Sequence, residues 1–140
     1  MKQVQIIVDS TADMPERFAA QCRIVPLTVH FGSETLVEGV TIDRRRFYER
    51  LVESDVLPTT SQATPAAFQT VFEDVARAGG SAVVITLSSK LSGTYQSACI
   101  AAADYDDIYV VDSRSVAIGA GILTEYALRC VSDGMDAKTL

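Results

Sequence analysis

The stretch Ala82-Val83-Val84-Ile85-Thr86-Leu87 decides the fold. It is a continuous apolar run of strand length, preceded by Gly79-Gly80 and followed by the polar segment Ser88 to Thr94. A strand with one wet face alternates apolar and polar residues. A strand apolar throughout has both faces covered, as parallel strands do when helices pack above and below their sheet.

The neighbouring segments supply those helices. Upstream, Thr64 is placed to cap a helix and Pro65 to occupy its first position, while Phe68, Val71, Phe72 and Val75 recur at i, i+3, i+4 and i+7 before Gly79-Gly80 stops it. Downstream, an alanine-rich helix through Ala103 leads into a second buried strand, Ile108 to Val111, closed by Asp112-Ser113. Ser115 then opens a last helix to about Val131. Nearer the N-terminus, Val4 to Val8 forms a strand closed by Asp9-Ser10-Thr11. Asp13 caps a short helix to about Cys22, and Ile24 to Phe31 reads as one strand, given an edge position by Pro26. Gly32-Ser33 and Gly39 punctuate a hairpin, and Phe47, Tyr48, Leu51 and Val52 follow Asp43 at helical spacing before Pro58.

Strands alternating with helices predict a three-layer α/β domain with a mainly parallel sheet, helices on both faces and right-handed crossovers. In such sheets the C-terminal strand ends face the ligand crevice. Those ends carry Asp9-Ser10-Thr11, Ser88-Ser89 and Asp112-Ser113, which makes Ser10, Ser88 and Ser113 candidate lining residues. Ser and Asp after a strand are also ordinary cap and turn residues. The repeated Val-Asp-Ser at 8–10 and 111–113 reads as shared βα-turn geometry and not as a duplication.

Composition narrows the chemistry. The 140 residues are one domain's worth, 48% hydrophobic and 21% charged, as in a folded globular chain. A net charge of −6 argues against nucleic acid, whose binding is driven by clustered Lys and Arg. The one basic run, Arg44-Arg45-Arg46, sits with Asp43 and Glu49 and reads as a solvated helix face. No apolar run is long enough to cross a bilayer and no signal segment precedes the first strand, so a cytoplasmic location is expected. Cys22, Cys99 and Cys130 are far apart and lack ligand spacing, so no metal site is expected and each reads as a small core residue. His30 is the only histidine and reads as a strand residue with a hydrogen-bonded imidazole or as a polar contact at the crevice mouth.

Two segments are unlike generic loops: Pro58-Thr59-Thr60-Ser61-Gln62-Ala63-Thr64-Pro65 and Ser88-Ser89-Lys90-Leu91-Ser92-Gly93-Thr94-Tyr95-Gln96-Ser97-Ala98. Each gathers hydroxyls just before a helix, where unpaired N–H groups and the positive end of the helix dipole attract an anion without Lys or Arg. Gly93 would let that backbone come close to the anion. Hydroxyls from both loops could donate to one carboxylate.

Thr60-Ser61-Gln62 and the run Ser88 to Ala98 closely resemble the two signatures of the DegV family, and Val8-Asp9-Ser10 and Val111-Asp112-Ser113-Arg114 are similar to its other landmarks. The resemblance extends over essentially all 140 residues. One departure is Ala63, where the family commonly has proline, expected to loosen the loop without removing a donor. The resemblance implies a bacterial fatty-acid carrier with no catalytic residues and no cofactor. It implies a buried acyl tunnel, with the carboxylate on Thr60 and Ser92 assisted by Ser61 and Gly93. It also implies a separate fatty acid kinase subunit that receives the bound acid and makes an acyl-phosphate for phospholipid synthesis. Residues 1–140 would then be the family's N-terminal α/β domain, a fragment without the second, lipid-covering domain. No Gly-x-x-x-x-Gly-Lys-Ser/Thr loop is present, so ATP chemistry would belong to the partner. Phe68, Val71, Phe72 and Leu91 are candidate tunnel walls or core fillers. The alternatives are a sensing or interaction module without lipid, and a serine hydrolase using Ser92 with His30, which lacks the Gly-x-Ser-x-Gly elbow.

Overall fold

A computed structural model describes residues 2–140. In chain order the elements are β1 (Val4–Asp9), α1 (Glu16–Ala19), β2 (Cys22–Val25), β3 (Thr28–Phe31), β4 (Glu34–Val37), α2 (Arg44–Glu53), β5 (Thr59–Ser61), α3 (Pro65–Arg77), β6 (Ser81–Thr86), α4 (Thr94–Ala102), β7 (Ile108–Asp112) and α5 (Ile118–Ser132). The main sheet has the order β2-β1-β6-β7, and every pairing in it is parallel. A second, antiparallel sheet runs β4-β3-β5.

The apolar run that decided the fold is β6, buried at every position. Successive side chains leave a strand on opposite faces, so one unbroken run feeds two cores. Val84 joins Ile7, Phe68, Phe72, Val75, Ala98 and Ala101 on the side of α3 and α4. Val83 and Ile85 join Ile6, Val8, Ala127 and Ala137 on the side of α5. This is the expected three-layer α/β arrangement. A third cluster, Val29, Phe31 and Ile42 with Leu36 and Phe47, closes the small sheet against α2.

Helix starts follow local chemistry. Thr64 accepts a hydrogen bond from the Ala67 amide with Pro65 at the first position of α3, and Asp43 accepts from the Arg46 amide at the start of α2.

Four expectations change. Ile24 to Phe31 is two strands in two sheets: Pro26 has no N–H to continue a ladder, and the chain leaves the main sheet there. As expected of the proline, β2 is an edge strand. The first helix is a single turn; Asp13 does not cap it but pairs with Arg44 at 3.0 Å, and Cys22 already belongs to β2. There, burial pushes the Cys22 thiol up to about 11. Thr59–Ser61, expected in a loop, is the short strand β5. Finally, α5 begins at Ile118 and not at Ser115, because residues 113–117 are tied to neighbouring turns: the Ser115 carbonyl accepts from Ser88 N at 2.8 Å and the Ala117 carbonyl from Asp13 N at 3.0 Å. Arg114 and Ala117 take φ values of 52° and 51° to make those contacts.

Candidate functional site

The C-terminal edge of the main sheet is built around the segment joining β6 to α4. Its backbone amides are nearly all used. Leu87 N donates to Asp9 Oδ2 at 2.6 Å, Ser88 N to the Ser115 carbonyl at 2.8 Å and Ser89 N to Asp112 Oδ1 at 3.1 Å. Lys90 N then donates to Ser88 Oγ at 3.3 Å, and Leu91 N and Ser92 N donate to the Ser88 carbonyl at 2.9 and 3.2 Å. The segment is therefore a fixed turn that delivers Ser92 and Gly93 to the N-terminus of α4. Gly93 is the N-cap and offers no side chain to the first-turn amides, so donors and the positive end of the dipole face outward. Ser92 Oγ lies 2.9 Å from Thr94 Oγ1 and accepts from Thr94 N at 3.2 Å.

The two hydroxyl-rich segments meet here. Ala63 N donates to the buried Thr94 Oγ1 at 3.3 Å, and Gln62 Nε2 donates to the buried Ser97 Oγ at 3.0 Å. A Cβ added at Gly93 would lie 2.1 Å from Gln62 Oε1, so the glycine makes room for the Gln62 carboxamide. Ala63, expected to loosen its loop without removing a donor, supplies a hydrogen bond that a proline could not.

Thr60 and Ser61 are anchored by β5. Thr60 pairs with Val29 and so shares the face of the small sheet that carries Val29. Ser61, one residue on, projects from the opposite face, where its Oγ lies 2.7 Å from His30 Nε2; His30 Nδ1 lies 3.1 Å from Thr35 Oγ1. His30 is thus the hydrogen-bonded strand residue expected. The Ser92–His30 pairing of the hydrolase alternative is not formed, since His30 bonds Ser61 and Ser92 bonds Thr94.

The three strand-end serines commit their hydroxyls to turns. Ser10 Oγ donates to Glu38 at 2.7 Å and accepts from Leu27 N at 2.9 Å. Ser88 is buried beneath its own turn. Ser113 Oγ donates to the Ser115 carbonyl and accepts from Ser115 N. Of the residues suggested as tunnel walls, Phe68 and Phe72 have no exposed surface and stack on each other at 5.8 Å between ring centroids. They fill the core, with Val71 packed against it, whereas Leu91 stands out in solvent at 64% exposure. A concavity of about 660 Å³ with a mixed lining that includes Lys2, Asp107, Tyr109, Val131 and Met135 lies at the other end of the sheet, where β1 and β6 begin.

The sequence placed Asp9 and Asp112 at the strand ends as cap or turn residues but did not show which amides they hold, and it missed Gln62 and Thr94 as the tie between segments. The Asp112 carboxyl is held below the usual carboxylate range by the Ser89 hydroxyl and by the Arg114 and Ser89 amides. The Asp9 carboxylate is buried, with Oδ1 accepting from Thr11 N at 2.9 Å and Thr11 Oγ1 at 2.6 Å.

Fold and site together define a parallel α/β domain whose C-terminal edge presents a helix N-terminus with a glycine at its N-cap, flanked by fixed hydroxyls. The family model described as "Uncharacterised protein, DegV family" matches residues 3–140, and the chain belongs to the DegV family. A DegV domain-containing protein of Caldanaerobacter subterraneus is 40% identical over 144 residues, covering 100% of this chain and 51% of that protein. One from Clostridium perfringens is 36% identical, covering 100% and 52%. The chain thus spans about half the length of the curated relatives it matches. Among solved structures, DegV of Bacillus subtilis, described as a fatty acid binding protein, superposes with a TM-score of 0.87 at 30% identity, covering 98% of this chain and 50% of that one. A stearic-acid-binding protein of Eubacterium ventriosum superposes with a TM-score of 0.86 at 29% identity, covering 99% and 50%. Among the described residues, no helix is long and apolar enough to cross a membrane.

Proposed function

We propose that this chain is the N-terminal half of a fatty-acid carrier that catalyses no reaction itself. The Thr60 and Ser92 hydroxyls donate to the carboxylate of a long-chain fatty acid and Gly93 lets it approach the first turn of α4, while Ser61, which leaves the opposite face of β5 toward His30, lies outside that contact. The carrier presents that carboxylate to a separate kinase subunit for acyl-phosphate formation. The observation that carries this reading is the α4 N-terminus, whose N-cap is a glycine without a capping side chain and whose turn is bonded to the Gln62-Ala63 segment next to Thr60. An anion that approaches it meets amide and hydroxyl donors without the desolvation cost of a buried lysine. The fatty-acid ligands of the solved relatives agree with a carboxylate as that anion. Because the chain matches only half of each relative, the acyl tunnel is assigned to the junction with a second half, a place consistent with the packed core behind α3.

The test is the double change Thr60→Ala with Ser92→Ala in the full-length protein, read by extraction and mass spectrometry of co-purified lipid. Each lost hydrogen bond to a charged acceptor is worth about 1.5 to 3 kcal/mol, so retention should disappear, while the delipidated protein still unfolds cooperatively with its midpoint lowered only by the loss of the Ser92 bonds to Thr94. Wild-type lipid stoichiometry in the double mutant would move the carboxylate site elsewhere. Release of the acyl-phosphate only when a kinase is added, and none by the carrier alone, is the expected division of labour.

A further inference from the structure

The repeated Val-Asp-Ser brackets the site segment from both sides. In the main sheet β6 lies between β1 and β7, and Asp9 and Asp112 are the last residues of those two flanking strands. Asp112 stands opposite Thr86, and Val8 stands opposite Ile85, so Asp9 reaches the same level on the other side. Each carboxylate reaches forward to the chain leaving β6: Asp9 Oδ2 takes the Leu87 amide and Asp112 Oδ1 takes the Ser89 amide. The amide between them, that of Ser88, is held by the Ser115 carbonyl. Three consecutive amides are therefore fixed from two strands and a loop, and the turn they define closes on Ser92 through the Ser88 carbonyl. Neither carboxylate is in an ion pair among the described residues, and their partners are N–H and O–H donors. A salt bridge between mobile side chains would fix no backbone; these two do.

Resting on the fatty-acid reading above, we propose that Asp9 and Asp112 are a matched pair of positioning residues, which set Ser92 and Gly93 at the distance needed to bind a carboxylate. They do not touch the ligand. Their effect is on selectivity for the ionised head group and not on binding of the chain.

The experiment compares palmitic acid with methyl palmitate as competitors of a fluorescent fatty acid on the full-length protein. Wild type should prefer the acid. Asp112→Ala should lose about tenfold of that preference, the effect of one misplaced hydrogen bond to a charged group, with affinity for the ester unchanged. Asp112→Asn should recover it, because a single amide oxygen can accept from both the Ser89 and Arg114 amides that now share Oδ1. Asp9→Asn should not recover, because its two oxygens accept from different donors and an amide nitrogen must face one of them. Amide hydrogen exchange should quicken at Ser89 in Asp112→Ala. Wild-type acid-to-ester ratios in both Asp112→Ala and Asp9→Asn, or equal loss of acid and ester in them, overturn the positioning role and leave the carrier reading standing. A wild-type protein that binds acid and ester equally overturns the carboxylate-binding reading, and this inference with it.

Discussion

Replacing Gly93 by alanine isolates what that glycine is for. Its φ of −74° and ψ of 4° are open to any residue, so alanine carries no torsional cost. The obstacle is the neighbour: the new Cβ would sit 2.1 Å from Gln62 Oε1 and 2.8 Å from Gln62 Cδ. Gln62 is exposed and flexible, and its carboxamide can swing out. In doing so it gives up the 3.0 Å hydrogen bond to Ser97 Oγ, a hydroxyl only 1% exposed. Loss of that bond costs about 1 kcal/mol, and stranding the buried hydroxyl adds up to about 1 more, for a total of about 1 to 2 kcal/mol. For a chain of this size each kcal/mol lowers the unfolding midpoint by about 4 °C. Gln62→Ala removes the same bond and should cost about 1 kcal/mol. With the carboxamide gone, Gly93→Ala should then cost nothing further, so the double-mutant cycle shows a coupling of about 1 kcal/mol or more. Thermal and urea unfolding of the two single variants and the double variant decide it. Strictly additive losses, or a loss above about 3 kcal/mol for Gly93→Ala alone, would refute the view that Gln62 is the reason for the glycine.

Phe72→Ala should destabilise by about 3 to 5 kcal/mol as a cavity in a sealed core, measured by urea unfolding; a loss below 1 kcal/mol would return Phe72 to a cleft wall. Ala63→Pro removes the Ala63 amide from Thr94 but stiffens the unfolded chain, so unfolding experiments should find a net change within about 1 kcal/mol. Because its folded-state carboxyl is held below the ordinary range, Asp112 adds stability that is present above its unfolded pKa and is lost as pH falls through the depressed value. The gap in unfolding midpoint between wild type and Asp112→Asn should therefore be open at neutral pH and close in acid.

The main sheet was legible because its signals are local. An unbroken apolar run such as Ala82 to Ile85 in β6 has few other homes, and Thr64-Pro65 marks a helix start by its own chemistry. What failed was partition. Ile24 to Phe31 is suited to strand apart from Pro26, whose missing N–H signals an edge as readily as a break, and the packing of Leu27 and Val29 into different clusters shows that the chain changes sheets between β2 and β3. β5 was illegible because three exposed residues carry no periodicity; its strand is imposed by the ladder to β3. At the site the hydroxyls could be counted but not their partners. Ser10, Ser88 and Ser113 look like Ser92 in the sequence, and only geometry shows that the first three stitch turns. Ala63 shows the reverse: a residue judged by the proline it lacks turned out to matter for the N–H it has.

The ladder between β1 and β6 also sets when this molecule can fold. Val4 pairs with Ser81 and Val8 with Ile85, partners more than half the chain apart. Emerging at about 5 to 20 residues per second, β1 waits several seconds for its neighbour on that side. β2 can join it sooner, since Ile6 pairs with Cys22 across a short crossover. For that interval the nascent chain displays the open edge of a strand that carries Ile6, Ile7 and Val8, a template for other unpaired strands. Slower synthesis between β1 and β6, or delayed release of β6 from the ribosome, should thus show itself as aggregation of the newly made chain, although the finished protein, with β1 between two neighbours, offers no such edge there.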